Sequence, residues 1–135
     1  MPQITLPATT ENIEVATDFI NEILESVDCP IRTQMQLDIA LDELMSNVAR
    51  YAYAPQTGDI TVSVEIADDP RRAVLTLTDN GVPYDPLQKE DPDITLSAEE
   101  RQIGGLGIFI VKNAMDEMRY CYKDNQNIVT IIKNL

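Results

Sequence analysis

Three short groups of residues have types and spacings that could carry chemistry. In residues 43–47, ELMSN, Glu43 and Asn47 are four positions apart and therefore share one face of a helix. A carboxylate such as that of Glu43 can act as a general base, and the amide oxygen of Asn47 can hold a hard cation such as Mg²⁺. The other interpretation of this spacing is an ordinary polar pair on a solvated helix face.

The second group, residues 79–83, DNGVP, follows a predicted strand. The Asp79 carboxylate can accept a hydrogen bond from an exocyclic amine such as that of adenine, and Gly81 would let the backbone approach a flat ring closely. A plain Asn-Gly turn between two strands is the alternative. The roughly 20 residues that follow lack the alternation of a partner strand, which argues against a tight hairpin.

The third group is a glycine-rich stretch directly before a predicted helix, made of Gly104, Gly105, Leu106 and Gly107. Glycines there leave backbone N–H groups free to point at phosphate oxygens, assisted by the helix dipole. A flexible hinge or a helix cap would use the same residues. A P-loop is excluded because Ile108 stands where its lysine should be. A Rossmann fingerprint is excluded because the preceding segment, SAEERQI, is polar and does not read as a strand.

Hydrophobic periodicity predicts the elements that position these groups. Helical spacing of apolar residues predicts a first helix from a cap at Thr9 or Thr10 to a stop at Cys29-Pro30. A second helix is predicted over about 32–54 and a short third one over 108–115, and alternation predicts strands at about 3–6, 60–66, 72–78, 117–123 and 127–133. Residues 83–103 form a charged loop with three prolines, and loops of that length are usually functional or disordered.

This order of elements predicts an α+β fold. We expect a two-layer sandwich in which a mixed, mostly antiparallel sheet carries helices on one face. At 135 residues and 44% hydrophobic content, the chain fits one domain with its own core, spanning 1–135.

The composition limits the partners. A net charge of −13, from 23 acidic and 10 basic side chains, argues against nucleic acid, which requires clustered Lys and Arg. If the ligand is a nucleotide, backbone N–H groups and a divalent cation must supply most of the positive field. Two cysteines and no histidine give neither a disulfide framework nor a zinc-ligand spacing. The sequence has no signal-peptide pattern and no apolar span, so we expect a cytoplasmic protein with no membrane partner.

Taken together, the three groups resemble the motifs of the Bergerat-fold (GHKL) ATPases, and most closely those of the bacterial anti-sigma-factor serine/threonine kinases. Residues 43–47 with the following YAY at 51–53 look like their N box. Residues 79–81 look like the first glycine box, and GGLG at 104–107 with Ile108-Phe109 looks like the second. The resemblance covers nearly the whole chain, in the same element order.

The resemblance implies roles for these residues. Asn47 would ligate the Mg²⁺ that bridges the ATP phosphates, Asp79 would bind the adenine amine, and Gly81 would support the base pocket. Residues 83–103 would form the ATP lid. The glycine-rich stretch 104–107 would free the backbone around the phosphates. Glu43 would be the general base, or the carboxylate that orients the attacking hydroxyl.

The resemblance also implies partners. In such kinases the acceptor is a serine or threonine on a small STAS-domain antagonist protein, often in a circuit with a sigma factor and with a homodimeric kinase. Phosphoryl transfer is mostly positioning and charge neutralisation, so it needs no covalent residue. The chain has no histidine that could accept phosphate, which argues against a complete sensor histidine kinase.

Two features depart from the family pattern. Tyr51 stands where members often have histidine before the Ala-Tyr pair, which leaves the base machinery to Glu43. Arg101 is the candidate for a lid arginine near the γ-phosphate, and its offset from the glycines differs from the family pattern. Two functions therefore stay open: an active protein kinase, or a non-catalytic module in which ATP orders the lid and controls a partner surface.

Overall fold

The computed structural model describes residues 2–53, 56–88 and 106–135. Its strands are β1 (Gln3–Pro7), β2 (Asp59–Ala67), β3 (Arg72–Asp79), β4 (Glu117–Lys123) and β5 (Gln126–Asn134). Its α-helices are α1 (Thr10–Ser26), α2 (Ile31–Asn47) and α3 (Leu106–Ala114). A π-helical turn, Val48–Tyr53, continues α2, and a 3-10 turn, Pro86–Gln88, lies in the segment after β3.

The five strands form one sheet in the order β1-β2-β3-β5-β4, and all four pairings are antiparallel. The predicted α+β fold is therefore confirmed. The register places Asp79, at the end of β3, between Ile60 of β2 and Asn127 of β5. Because side chains on paired positions point to the same face, these three share the side of the sheet that the helices cover.

The core lies between that face and the helices. Burial on α1 and α2 recurs at the helical spacing, and burial on β3 and β5 alternates. The residues with 0% exposure include Ala16, Ile20, Leu24, Leu37, Ala40 and Leu41 from the helices, and Ile60, Val62, Leu75 and Ile131 from the sheet. With few aromatic residues to use, the chain fills this layer almost entirely with aliphatic side chains.

The second helix departs from its prediction. It was expected to run as one helix to about residue 54, but the α-helix ends at Asn47 and a π-helical turn follows. The wider turn brings the Ala52 carbonyl to the backbone N–H of Val82, at 3.0 Å. Apolar periodicity alone does not distinguish the two helix types, since Val48 and Ala52 are buried in either case.

The remaining boundaries agree with the sequence to within about three residues, and the largest difference is the end of α1 at Ser26, where Cys29-Pro30 was the predicted stop. The predicted turn between β4 and β5 is confirmed at Asp124 and Asn125, whose φ angles of 54° and 61° suit a two-residue hairpin turn. Of the expected lid, 83–103, only residues 83–88 lie in the described part, so its role stays a prediction. Cys29 is half-buried and Cys121 is exposed, and both are free thiols. Within the described residues, no helix is both long and apolar enough to cross a membrane.

Candidate functional site

A pocket opens where the end of α2 and the π-helical turn face the ends of β3 and β5. Its walls are mainly apolar, with three polar side chains of the buried layer among them. The lining residues are Leu44, Asn47, Val48, Ala52, Leu77, Asp79, Tyr84, Pro86, Asn127 and Val129. An apolar wall with a few convergent polar groups is the usual form of a small-molecule site.

Asp79 is the carboxylate of this pocket and is 4% exposed. Its Oδ1 accepts two hydrogen bonds, from the backbone N–H of Gly81 at 2.9 Å and from the amide Nδ2 of Asn127 at 2.9 Å. Among the described residues no donor reaches Oδ2, which leaves that oxygen as an acceptor for a ligand. Burial raises the pKa of Asp79, and the two donated hydrogen bonds oppose that rise because they stabilise the ionised form.

Asn47 occupies the last position of α2 and is 5% exposed. Its Nδ2 is buried, and no hydrogen-bond partner for it lies among the described residues. A buried amide group without a partner is costly, at roughly 1–3 kcal/mol, so its presence in a pocket suggests that a ligand supplies the missing contact. The two ends of an amide exchange by a half rotation, so the oxygen can also face the pocket.

Glu43 lies one helical turn before Asn47, and its carboxylate contacts the first turn of α3. A Cβ built on Gly107 would overlap the terminal Cδ, Oε1 and Oε2 atoms of Glu43. The absence of a side chain at Gly107 therefore makes room for this carboxylate. The structure thus places the candidate base of the first motif against the glycine-rich start of α3.

Gly81 serves a close approach between two backbones. A Cβ there would lie 2.5 Å from the carbonyl oxygen of Ala52 in the π-helical turn. The next residue, Val82, donates its N–H to that same oxygen at 3.0 Å. Gly81 therefore supports the pocket by letting the chain after β3 pack directly on the turn after α2.

One side of the pocket is lined by Tyr84, which packs against a second tyrosine. The rings of Tyr51 and Tyr84 stack with centroids 4.8 Å apart and planes at 16°. The hydroxyl of Tyr53 connects the ends of β2 and β3. It accepts the Asn80 N–H at 2.7 Å and donates to the Asp59 carbonyl at 2.7 Å. Position 51, where the family pattern often has histidine, here stacks on Tyr84, which lines the pocket.

The predicted site residues are thus brought together in part. Asn47 and Asp79 line one pocket, and Gly81 contacts two of its lining residues, Asp79 and Ala52. Glu43 and Gly107 contact each other and are not among the lining residues. Leu106 is the first residue of α3. Arg101, Gly104 and Gly105 lie outside the described residues, and their predicted roles are untested.

The sequence reasoning missed Asn127. This residue is 2% exposed and bonds Asp79 directly. A signal was present in the alternation of β5, since Asn127 shares the inward face with Val129 and Ile131. A polar residue on an otherwise apolar inward face, at the end of a strand, usually has a specific buried partner.

Comparison with known proteins gives a consistent result. Residues 6–133 match the histidine kinase-like ATPase domain family. The chain is 26% identical over 131 residues to the serine-protein kinase RsbW of Listeria monocytogenes serovar 1/2a, a match that covers 93% of this chain and 82% of that protein. It is 27% identical over 100 residues to the serine/threonine-protein kinase BtrW of Bordetella bronchiseptica, covering 74% and 70% of the two chains. Its identity to the serine-protein kinase RsbW of Bacillus mycoides is 21% over 131 residues.

Proposed function

Because the chain belongs to the histidine kinase-like ATPase domain family, we propose that it is an ATP-dependent serine/threonine protein kinase of the anti-sigma-factor type. The observation that carries the proposal is the meeting of Asp79 and Asn47, from two distant motifs, in one mainly apolar pocket. An adenine ring needs an apolar slot with an acceptor for its amine. The relatives' names, which describe serine and serine/threonine protein kinases, support the reaction class.

The nucleotide site follows from the pocket's polar groups. Asp79 Oδ2 would accept the adenine amine, since its Oδ1 is already engaged by Gly81 and Asn127. The start of α3, with Gly104, Gly105, Leu106 and Gly107, would present backbone N–H groups to the phosphates. Arg101 would approach the γ-phosphate. ATP supplies the transferable phosphoryl group.

Asn47 fits a Mg²⁺ ion that is held largely by the nucleotide. The described residues contain no group of three or more His, Cys, Asp or Glu side chains that could hold a metal. Mg²⁺ in phosphoryl-transfer sites typically takes one or two protein oxygens, with phosphates and waters completing its shell. The end of Asn47 that is buried without a partner is the Nδ2 donor, so the ligand role would use the rotated amide, with its oxygen toward the ion.

Glu43 is the residue we assign to the hydroxyl acceptor. Its carboxylate lies at the start of α3, where the phosphates would be bound, and can take the proton of a serine or threonine hydroxyl. That hydroxyl oxygen then forms a bond to the γ-phosphorus while the bond to the bridging oxygen breaks and ADP leaves. The end of α2 and the start of α3 would position the reacting groups, and such positioning contributes most of the rate in phosphoryl transfer.

The proposal also names the protein partners of the kinase. We assign the acceptor hydroxyl to a STAS-domain antagonist protein, with a sigma factor as the alternative partner and a homodimer as the working assembly. The support is the chain's similarity to the RsbW and BtrW kinases. Residues 1–135 would then form a single catalytic domain, with residues 83–103 as its lid.

The first experiment measures nucleotide binding. Calorimetric titration of ATP with Mg²⁺ into the wild type should give a dissociation constant in roughly the micromolar range. Asp79→Asn should weaken binding by about tenfold or more, because an amide NH₂ in place of Oδ2 would oppose the adenine amine. If the wild type binds no adenine nucleotide, the proposal fails at its base.

The second experiment measures transfer. With γ-labelled ATP and a STAS-domain protein as acceptor, Glu43→Gln should lower the transfer rate by roughly 10²–10⁴-fold. ATP affinity should stay nearly unchanged, because Glu43 does not line the base pocket. Transfer that survives in Glu43→Gln would remove the assigned base. Binding without any transfer in the wild type would favour the non-catalytic ATP-gated module.

A further inference from the structure

Asn127 connects several parts of the pocket. It is the second residue of β5, and its carboxamide makes four hydrogen bonds, to Asp79, Val82, Tyr84 and Tyr120. These partners come from β3, from the segment that follows β3, and from β4. One amide therefore joins two strands and the chain that leaves the sheet at the pocket.

The hydrogen bonds use the full capacity of the amide. Nδ2 donates to Asp79 Oδ1 at 2.9 Å and to the Val82 carbonyl at 2.8 Å. Oδ1 accepts the Tyr84 backbone N–H at 3.0 Å and the Tyr120 hydroxyl at 2.5 Å. An amide has two N–H donors and two acceptor lone pairs, so none is left over. The reverse orientation would face its oxygen to a carboxylate and a carbonyl, so only one orientation fits.

These contacts determine how Asp79 meets a ligand. Asn127 and the Gly81 N–H both bond Oδ1, which fixes the carboxylate plane and leaves Oδ2 to the pocket. The donors also favour the ionised carboxylate, a pure acceptor, over the protonated form. The hydrogen bonds to Val82 and Tyr84 hold in place the segment whose Tyr84 side chain lines the pocket.

We propose that Asn127 is a positioning residue for base recognition: it orients Asp79 toward the 6-amino group of the purine and holds the 82–84 segment against the pocket. This rests on the proposed function, since it assumes that the pocket binds an adenine nucleotide. Asn127 sets base selectivity through Asp79, and it sets overall nucleotide affinity through the segment. The two effects are separable with a nucleotide that lacks the amine.

Inosine triphosphate is that nucleotide, because it carries a 6-oxo group in place of the 6-amino group. The measurement is calorimetric titration of ATP and of inosine triphosphate, each with Mg²⁺, into wild type and variants. The wild type should prefer ATP by about tenfold or more, as sites built around a ligand N–H do. Absence of that preference in the wild type would count against the proposed function and would be seen before any variant is made.

Asn127→Leu is close in size and removes all four hydrogen bonds. We expect ATP affinity to fall by about tenfold or more and the preference for ATP to fall toward one, while inosine triphosphate weakens much less. Adding Asn127→Leu to Asp79→Asn should not change the preference further, because the effect passes through Asp79. Equal weakening of both nucleotides would mean that Asn127 does not act through Asp79, and the proposed role in base recognition would be wrong.

Two further variants keep the test decisive. Ile131→Val, on the same strand and the same inward face, controls for loss of stability. It should lower Tm and leave the preference for ATP intact. Asn127→Ser, which keeps one hydroxyl donor, should fold even if Asn127→Leu does not, and should give a preference between those of wild type and Asn127→Leu. A wild-type preference in Asn127→Ser together with weaker binding of both nucleotides would overturn the selectivity role.

Discussion

At the scale of single residues, the contact between Glu43 and Gly107 shows why a glycine stands at the start of α3. The usual explanation for glycine here is freedom of the backbone around a phosphate. The structure adds a steric reason, since any side chain at position 107 would overlap the Glu43 carboxylate. Gly107 is the second residue of α3, and the atoms that a side chain there would meet belong to the flexible end of Glu43, so its effect on Glu43 can be separated from its effect on the fold.

Gly107→Ala should therefore change stability and activity in opposite directions. Alanine is the better helix former, by roughly 1 kcal/mol in a helix interior and by less in the first turn, so Tm should rise slightly. The new methyl group would displace the Glu43 carboxylate, and a misplacement of about 1 Å can lower a rate by about 100-fold. Phosphoryl transfer to a STAS-domain acceptor, with thermal melting in parallel, gives both quantities.

The control for Gly107→Ala is the same substitution in a Glu43→Gln background. If the methyl group acts by displacing the carboxylate, it should cause little further loss once that carboxylate is gone. A Gly107→Ala protein with wild-type transfer would show that the contact has no part in the reaction.

Sequence reasoning identified some of these residues and missed others for a physical reason. Glu43, Asn47 and Asp79 were found because each belongs to a local pattern, a helical spacing or a strand end followed by glycine. Asn127 depends on a contact across the sheet, 48 positions from Asp79. Only the register of β3 and β5 brings the two together.

At the scale of elements, the π-helical turn after α2 is what joins the first two motifs. It meets the segment after β3 through the Ala52 carbonyl, the Tyr53 hydroxyl and the ring of Tyr51. Periodicity predicted the helices and strands to within a few residues, because a buried stripe or an alternating face follows from the apolar residues themselves. It could not predict the π-helical turn, which depends on these contacts with a distant segment.

Gly81→Ala tests this junction. The new Cβ would lie 2.5 Å from the Ala52 carbonyl oxygen and 2.6 Å from the Ala52 Cβ, so the two backbones must separate. We expect a loss of about 1–3 kcal/mol in the free energy of unfolding, as for other overpacked sites, and weaker ATP binding. Urea unfolding and calorimetric titration measure the two effects.

Val82→Ala is the matched control for Gly81→Ala, because the neighbouring Val82 side chain is 61% exposed. It should leave stability and ATP affinity close to wild type while keeping the backbone hydrogen bond to Ala52. If Gly81→Ala behaves like Val82→Ala, the close approach of the two backbones is not needed for the site.

At the scale of the whole molecule, a chain of net charge −13 also buries carboxylates. Asp38 on α2 is half-buried, and its Oδ1 has no hydrogen-bond partner among the described residues. Burial raises the pKa of Asp38, the hydrogen bond from Asn21 opposes the rise, and the charge of Asp18 adds to it. The pKa of Asp79 is raised in the same direction, but the Asp79 carboxylate is held by two hydrogen bonds on one oxygen, whereas the one hydrogen bond that the described part of the chain donates to Asp38 comes from Asn21.

Proton binding determines the direction in which the stability of the fold changes with pH. A carboxyl whose pKa is raised in the folded state binds more protons when folded than when unfolded, so stability falls as pH rises. The loss begins near the ordinary Asp pKa of about 3.9 and is complete above the folded value. Asp38→Asn removes this titration. The stability difference between variant and wild type should therefore be smallest near pH 3.5 and should grow toward neutral pH.

We expect Asp38→Asn to raise Tm at pH 7 by about 1–3 °C, since a partly solvated charge contributes less than about 1 kcal/mol. Thermal melts of both proteins between about pH 3.5 and pH 8 give the difference at each pH.

Asp42→Asn, at an exposed position one turn later on α2, removes the same unit of charge and controls for general repulsion. An equal, pH-dependent gain in both variants would show that the net charge of the chain matters and the burial of Asp38 does not. A larger gain in Asp38→Asn that grows with pH would show that burial of this carboxylate lowers the stability of the fold.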